Sequence, residues 1–134
     1  MRRQHILLVF TFVMFACSSG KTQRPENGLI SADELKSRMD SGLDGILIDL
    51  RTPDEVANGI LSGAQIIDFR ASDFEDQINA LDKDKKYYVY CHGGGRSAKT
   101  KTLMEQLGFQ SVLDYGGGFS EWSSLGLPLV EAPK

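Results

Sequence analysis

A three-layer α/β domain, with a central parallel sheet of about five strands and helices on both faces, is the fold this sequence predicts. Three observations carry that reading. Short apolar runs recur between residues 29 and 134, and helix starts marked by a hydroxyl residue with a carboxylate three positions later stand between them. Strands alternating with helices imply parallel pairing, because each crossover needs the length of a helix. A glycine-rich stretch follows one of the apolar runs and leads into a helical pattern, and open α/β sheets place their sites at such strand ends.

Taken in order, the chain opens with Arg2 and Arg3 ahead of an apolar run over 6–16 that is too short to span a membrane, the pattern of a signal peptide. Its end, Met14-Phe15-Ala16-Cys17-Ser18-Ser19-Gly20, resembles a bacterial lipobox, with a small residue just before an acceptor cysteine. The expected organisation is a signal peptide over 1–16, a lipidated Cys17 with a polar tether over 17–28, and one domain over 29–134. Secretion with Cys17 left free is the alternative. Fully extended, the tether reaches at most about 40 Å, so a lipid-anchored domain would work close to the cell-envelope membrane, on its periplasmic side.

Within the domain, Ser31 with Glu34, Thr52 with Glu55 and Ser72 with Glu75 mark three helix starts, and Pro53 holds a favourable first helical position. Ile46-Leu47-Ile48 and Ile66-Ile67 read as buried strands, Tyr87-Tyr88-Val89-Tyr90 as a third and Ser111-Val112-Leu113 as a fourth. Leu103 and Leu107, four apart with Met104 beside them, give the core face of a helix that Gly108 ends.

The chemistry concentrates in Cys91-His92-Gly93-Gly94-Gly95-Arg96-Ser97, between the third strand and that helix. Three glycines let the backbone turn its N–H groups toward one centre, and the helix adds the positive end of its dipole. Arg96 adds a permanent cation, so Cys91 is expected to ionise more readily than a free cysteine and to act as a nucleophile. The bland alternative is a buried, inert cysteine beside a flexible turn.

Four residues separate Cys91 from Arg96, one fewer than in the loop of cysteine phosphatases. The segment resembles the C-x-x-G-x-R-S active-site loop of rhodanese-like sulfurtransferases, and three further stretches match that family in order. Asp49-Leu50-Arg51-Thr52-Pro53-Asp54-Glu55 is similar to its D-x-R-x-P-x-E segment, Gly59-Ile60-Leu61-Ser62-Gly63-Ala64 to its G-H-I-P-G-A turn, and Gly117-Gly118-Phe119-Ser120-Glu121-Trp122 to its closing G-G-x-x-x-W. Ile60 and Ser62 depart from the family's His and Pro at positions expected to be structural. The resemblance implies transfer of sulfane sulfur from a donor such as thiosulfate or a persulfide to a thiol or cyanide acceptor. Cys91 would carry the sulfur as a persulfide, and the N–H groups from His92 through Gly93, Gly94, Gly95 and Arg96 to Ser97 would cradle it. Arg96 would also steady negative charge on donor and leaving group.

Other features bound the reading. The formal charge is −3 and removal of the leader takes two arginines and no acids, so nothing points to nucleic acid. Only Cys17 and Cys91 are present, which leaves Cys91 without a partner once Cys17 is lipidated and makes an external thiol reductant an expected partner. No metal site or cofactor is expected, because the one histidine outside the leader, His92, is inside the loop itself. Asp49 and Arg51 are expected to form a salt bridge holding neighbouring loops. Trp122 and Phe119 are read as packing, and the glycines at 116–118 as a tight turn. Two rival readings stay open: a cysteine phosphatase or arsenate reductase, and a non-catalytic binding module.

Overall fold

The computed structural model describes residues 24–134; the leader, Cys17 and the tether up to residue 23 lie outside the described residues. Ten elements follow one another: β1 (Gly28–Leu29), α1 (Ala32–Asp40), β2 (Ile46–Asp49), α2 (Pro53–Val56), β3 (Gln65–Ile66), α3 (Phe74–Asn79), β4 (Lys86–Tyr90), α4 (Gly95–Gln106), β5 (Ser111–Asp114) and α5 (Gly118–Ser124). All strand pairs are parallel, in the order β1-β5-β4-β2-β3. This is the predicted three-layer α/β fold with a five-stranded sheet.

Alternation along the central strands divides the core in two. Tyr88 and Tyr90 of β4, with Leu47 and Leu113, face a cluster containing Leu35 of α1, Val56 of α2 and Trp122 of α5. Tyr87, Val89 and Cys91 face the other side, with Ile48, Val112, Phe74 and Ile78 of α3 and Met104 of α4. The parity of β4 therefore hands Cys91 to the α4 side, at the carboxyl end of the sheet's central strand.

Helix ends follow sequence chemistry with one displacement. Ser31 accepts from the Glu34 N–H at 3.2 Å, while the Glu34 side chain turns to Arg38 instead of closing the box. Glu55 accepts from both the N–H and the hydroxyl of Thr52, at 2.9 and 3.0 Å. The Ser72 and Glu75 pair is corrected: α3 starts one residue later, with Asp73 at the N-cap position, and the Asp73 carboxylate makes no capping bond but accepts from the Gln77 side chain at 2.9 Å. At the end of α4, Gly108 has φ +91° and its N–H bonds to Glu105 O while the Phe109 N–H bonds to Met104 O, the double closure of a Schellman turn.

Ordered contacts reach ahead of Leu29. Glu26 pairs with Arg38 at 2.6 Å and with Lys86 at 3.0 Å, and Arg38 first, then Lys86, hold its carboxyl down at about 2. The Asn27 side chain bonds to Gln110 O and to the Val112 N–H. Polar residues with no periodicity read as tether in a sequence, yet Asn27 is fixed by partners more than 80 positions away and Glu26 by partners 12 and 60 away.

The Asp49–Arg51 pair is the most buried ion pair described, with side-chain exposures of 0% and 1% and a 2.6 Å contact. Arg51 also donates to Glu55 O and Gly59 O, and Tyr90 donates its phenol proton to Asp49. Asp49→Ala is expected to lower the unfolding free energy by about 3–5 kcal/mol, because the guanidinium stays buried without its partner. Lys36→Ala, which breaks an exposed pair with Asp40, is expected to cost at most about 0.5 kcal/mol. Urea unfolding of both variants measures the contrast.

Candidate active site

Cys91 is 1% exposed and lies directly after β4, with α4 starting four residues on. Gly94, the helix N-cap, has φ +95°, and this left-handed turn brings its N–H to 3.1 Å from the Cys91 Sγ. The Cys91 thiol meets the Ser97 Oγ as acceptor at 3.8 Å, and the Ser97 hydroxyl donates to Gly94 O at 3.1 Å. Burial alone would push the thiol up. It is outweighed by the N–H and hydroxyl of Ser97 and then by the N–H groups of Gly94 and Arg96, so the Cys91 pKa lies below its ordinary value.

The Arg96 side chain is shared between the sulfur and a carboxylate. Its guanidinium feels the thiolate, but both terminal nitrogens bond to Glu55, at 2.8 and 2.6 Å, and Arg96 holds the Glu55 carboxyl at about 2. The thiol is lowered chiefly by backbone and hydroxyl donors. Ser97→Ala is therefore expected to move the pH profile of Cys91 alkylation to higher pH, and by more than Arg96→Ala does. Iodoacetamide labelling rates across pH measure both.

A second glycine cluster supports the loop. A Cβ at Gly94 would meet Gly116 O at 2.3 Å, and a Cβ at Gly118, where φ is +62°, would meet the carbonyls of Cys91 and His92 at 2.6 Å. Those carbonyls accept from the N–H groups of Phe119 and Ser120 at 2.8 and 2.9 Å. The start of α5 is thus clamped to the cysteine loop. Trp122 is buried in the core with its indole N–H on Pro128 O. Phe119 does more than pack: Arg51 stacks 3.9 Å from its ring centroid, and His92 faces it at 6.2 Å.

Of the predicted residues, the structure gathers Cys91, Gly94, Ser97 and the backbone of Arg96 around the sulfur. His92 is exposed at the rim, and Gly93 and Gly95 stand in open space. Glu55 is visible in the sequence as a helix-capping carboxylate and as the last residue of the D-x-R-x-P-x-E segment, but not as a partner of Arg96. Asp114, buried and with one carboxylate oxygen unpartnered, is pushed up by burial against the opposing influence of the Ser97 hydroxyl. No local pattern places either one beside the loop, because neighbouring parallel strands bring them there.

The profile of the rhodanese-like domain matches residues 31–125, which include every residue named around the sulfur. A sulfurtransferase of Allochromatium vinosum is 32% identical over 101 residues, covering 75% of this chain and 92% of that protein. A chloroplastic thiosulfate sulfurtransferase of Arabidopsis thaliana is 33% identical over 91 residues, covering 60% and 76%. Among solved structures, a rhodanese-related protein of Thermoplasma volcanium superposes with a TM-score of 0.66 at 30% identity, covering 77% of this chain and 97% of its own. Sequence motifs, sheet order and a cysteine loop at the end of the central strand agree with these matches, and the chain belongs to the rhodanese-like domain family.

Proposed function

We propose that this domain is a sulfurtransferase that carries sulfane sulfur on Cys91. The observation that carries the proposal is the thiol's setting: a sulfur with a lowered pKa, bonded by the Gly94 N–H and flanked by Ser97, with open space over Gly93 and Gly95. The sulfurtransferase relatives support the same reading.

In the first half-reaction, the Cys91 thiolate attacks the outer sulfur of the donor. A new S–S bond forms at Sγ, the donor's own bond to that sulfur breaks, and the electron pair leaves on sulfite or on a thiolate. The product is the Cys91 persulfide. The inward N–H groups stabilise the added charge where it develops, without reorganisation at the moment of transfer. In the second half-reaction a thiol or cyanide attacks the outer sulfur and Cys91 departs as the thiolate. No separate base is required, since the nucleophile is already deprotonated. A donor molecule, a thiol acceptor and an external reductant for over-oxidised Cys91 are the partners this chemistry calls for.

The phosphatase reading is disfavoured by the loop's length, since a tetrahedral oxyanion needs a wider ring of donors than one sulfur does. Thiocyanate formation from thiosulfate and cyanide, run beside hydrolysis of p-nitrophenyl phosphate, tests the assignment. The first activity without the second supports it. Phosphate release that depends on Cys91 would overturn it, and an absence of both would favour a binding module.

Localisation is proposed from the sequence: Cys17 carries lipid and anchors the domain to the cell-envelope membrane through the tether, since two or more acyl chains hold where one does not. Wild-type protein is expected in the membrane fraction, and Cys17→Ala in the soluble fraction or unprocessed. A fully soluble wild type would refute the anchor.

A further inference from the structure

Charge around the cysteine loop is balanced at short range. Arg96, the loop's own guanidinium, is 18% exposed and meets Glu55 with both terminal nitrogens. Glu55 is itself fixed, because the same carboxylate accepts from the N–H and hydroxyl of Thr52 at the start of α2. Arg51 stacks on Phe119, whose N–H holds Cys91 O, and its charge is cancelled by Asp49. Farther along α4, Lys101 is bonded to Glu105, and Lys99 lines a cavity with Glu75 and Asp76 on the α3 side. Arg96, Arg51 and Lys101 are each matched to a carboxylate, and the groups bonded to the sulfur are the Gly94 N–H and the Ser97 Oγ, with the Glu55-held Arg96 guanidinium near enough to feel the thiolate.

Such a site suits one sulfur atom bearing at most one negative charge. A persulfide meets that condition, because its outer sulfur is small and its leaving thiolate carries a single charge. Thiosulfate does not: its whole double charge sits within bonding distance of the sulfur that moves, and the departing sulfite keeps both charges. In this loop that dianion would approach an Arg96 already neutralised by Glu55, and Glu55 itself would repel it.

Given the sulfurtransferase reading, we infer that Glu55 sets the donor class of this domain, holding Arg96 so that organic persulfides are favoured over dianionic thiosulfate. Glu55 acts through Arg96 and does not touch the sulfur, so it is a positioning residue. The conservative change to glutamine keeps an oxygen for the Thr52 cap and removes the charge that neutralises Arg96.

Initial rates of sulfur transfer from cysteine persulfide and from thiosulfate, measured separately on wild type, Glu55→Gln and Glu55→Gln/Arg96→Gln, test this. Wild type is expected to show a kcat/KM for cysteine persulfide at least about tenfold above that for thiosulfate. Glu55→Gln is expected to raise the thiosulfate value about tenfold, mainly through KM, with the persulfide value changed by less than about threefold. The double variant is expected to lose that gain, which shows that it runs through the freed guanidinium. A wild type that prefers thiosulfate overturns the inference, as does a Glu55→Gln change that alters both donors alike or survives in the double variant. Should Glu55→Gln fail to fold, the wild-type donor ratio and Arg96→Gln decide. Arg96→Gln leaves Glu55 unpaired and is expected to depress thiosulfate use more than persulfide use, and equal losses overturn the inference. If neither donor transfers sulfur in wild type, the sulfurtransferase reading itself falls and takes this inference with it.

Discussion

Cys91→Ser is expected to abolish sulfur transfer, lowering the rate by about three orders of magnitude or more, while leaving the fold in place. The side chain is 1% exposed, and a hydroxyl fits where the thiol was, with the Gly94 N–H still available at the position where it now meets Sγ at 3.1 Å. The chemistry does not survive the exchange. A serine hydroxyl is not ionised near neutral pH, and its oxygen does not take over a sulfane sulfur to make a persulfide. Wild-type-like thermal unfolding with no detectable thiocyanate formation is the expected pair of results. Retained transfer would remove Cys91 from the mechanism.

Gly94→Ala is expected to disable the loop, and Gly93→Ala, one residue earlier, is expected to leave it working. At Gly94 an added methyl meets Gly116 O at 2.3 Å with φ at +95°, so two pieces of backbone must move apart and the new residue sits in a region unfavourable for side chains. The left-handed conformation alone costs about 1–2 kcal/mol. The movement also withdraws an N–H from Sγ, so Cys91 alkylation is expected to shift to higher pH. A displacement of about 1 Å at a reacting group lowers rates by about a hundredfold. At Gly93 nothing lies within 4 Å and no left-handed backbone is required, so activity is expected to stay within about threefold of wild type. Side-by-side kinetics and alkylation profiles check the contrast. Equal losses at the two positions would show that the loop depends on general flexibility and not on the Gly94 turn.

The middle of the sheet was legible because β2, β4 and β5 are buried on both faces and therefore read as unbroken apolar runs. β1 was not: it has two residues, Leu29 is 77% exposed, and its place is fixed by backbone pairing with β5. The α3 start is not legible from its capping residues, since the helix begins after Asp73, whose carboxylate binds Gln77 and makes no capping bond. The cysteine loop was legible as a local string, since its glycines, helix start and nucleophile are consecutive. Its charge state was not. Glu55 and Arg96 are 41 positions apart, and they meet because β2 and β4 are neighbours whose following segments emerge on the same end of the sheet. Clamping of the loop by the Phe119 and Ser120 N–H groups has no local signature for the same reason, since glycines at 116–118 signal a turn but not what the turn touches.

Intact mass of the purified protein after exposure to a sulfane-sulfur donor, followed by peptide mapping, tests the persulfide most directly. Wild type is expected to gain the mass of one sulfur, located on the Cys91 peptide and removed by cyanide or a thiol, with no gain in Cys91→Ser. Wild-type protein left unmodified by thiosulfate, polysulfide and glutathione persulfide alike, or an added sulfur that persists in Cys91→Ser, would contradict the account.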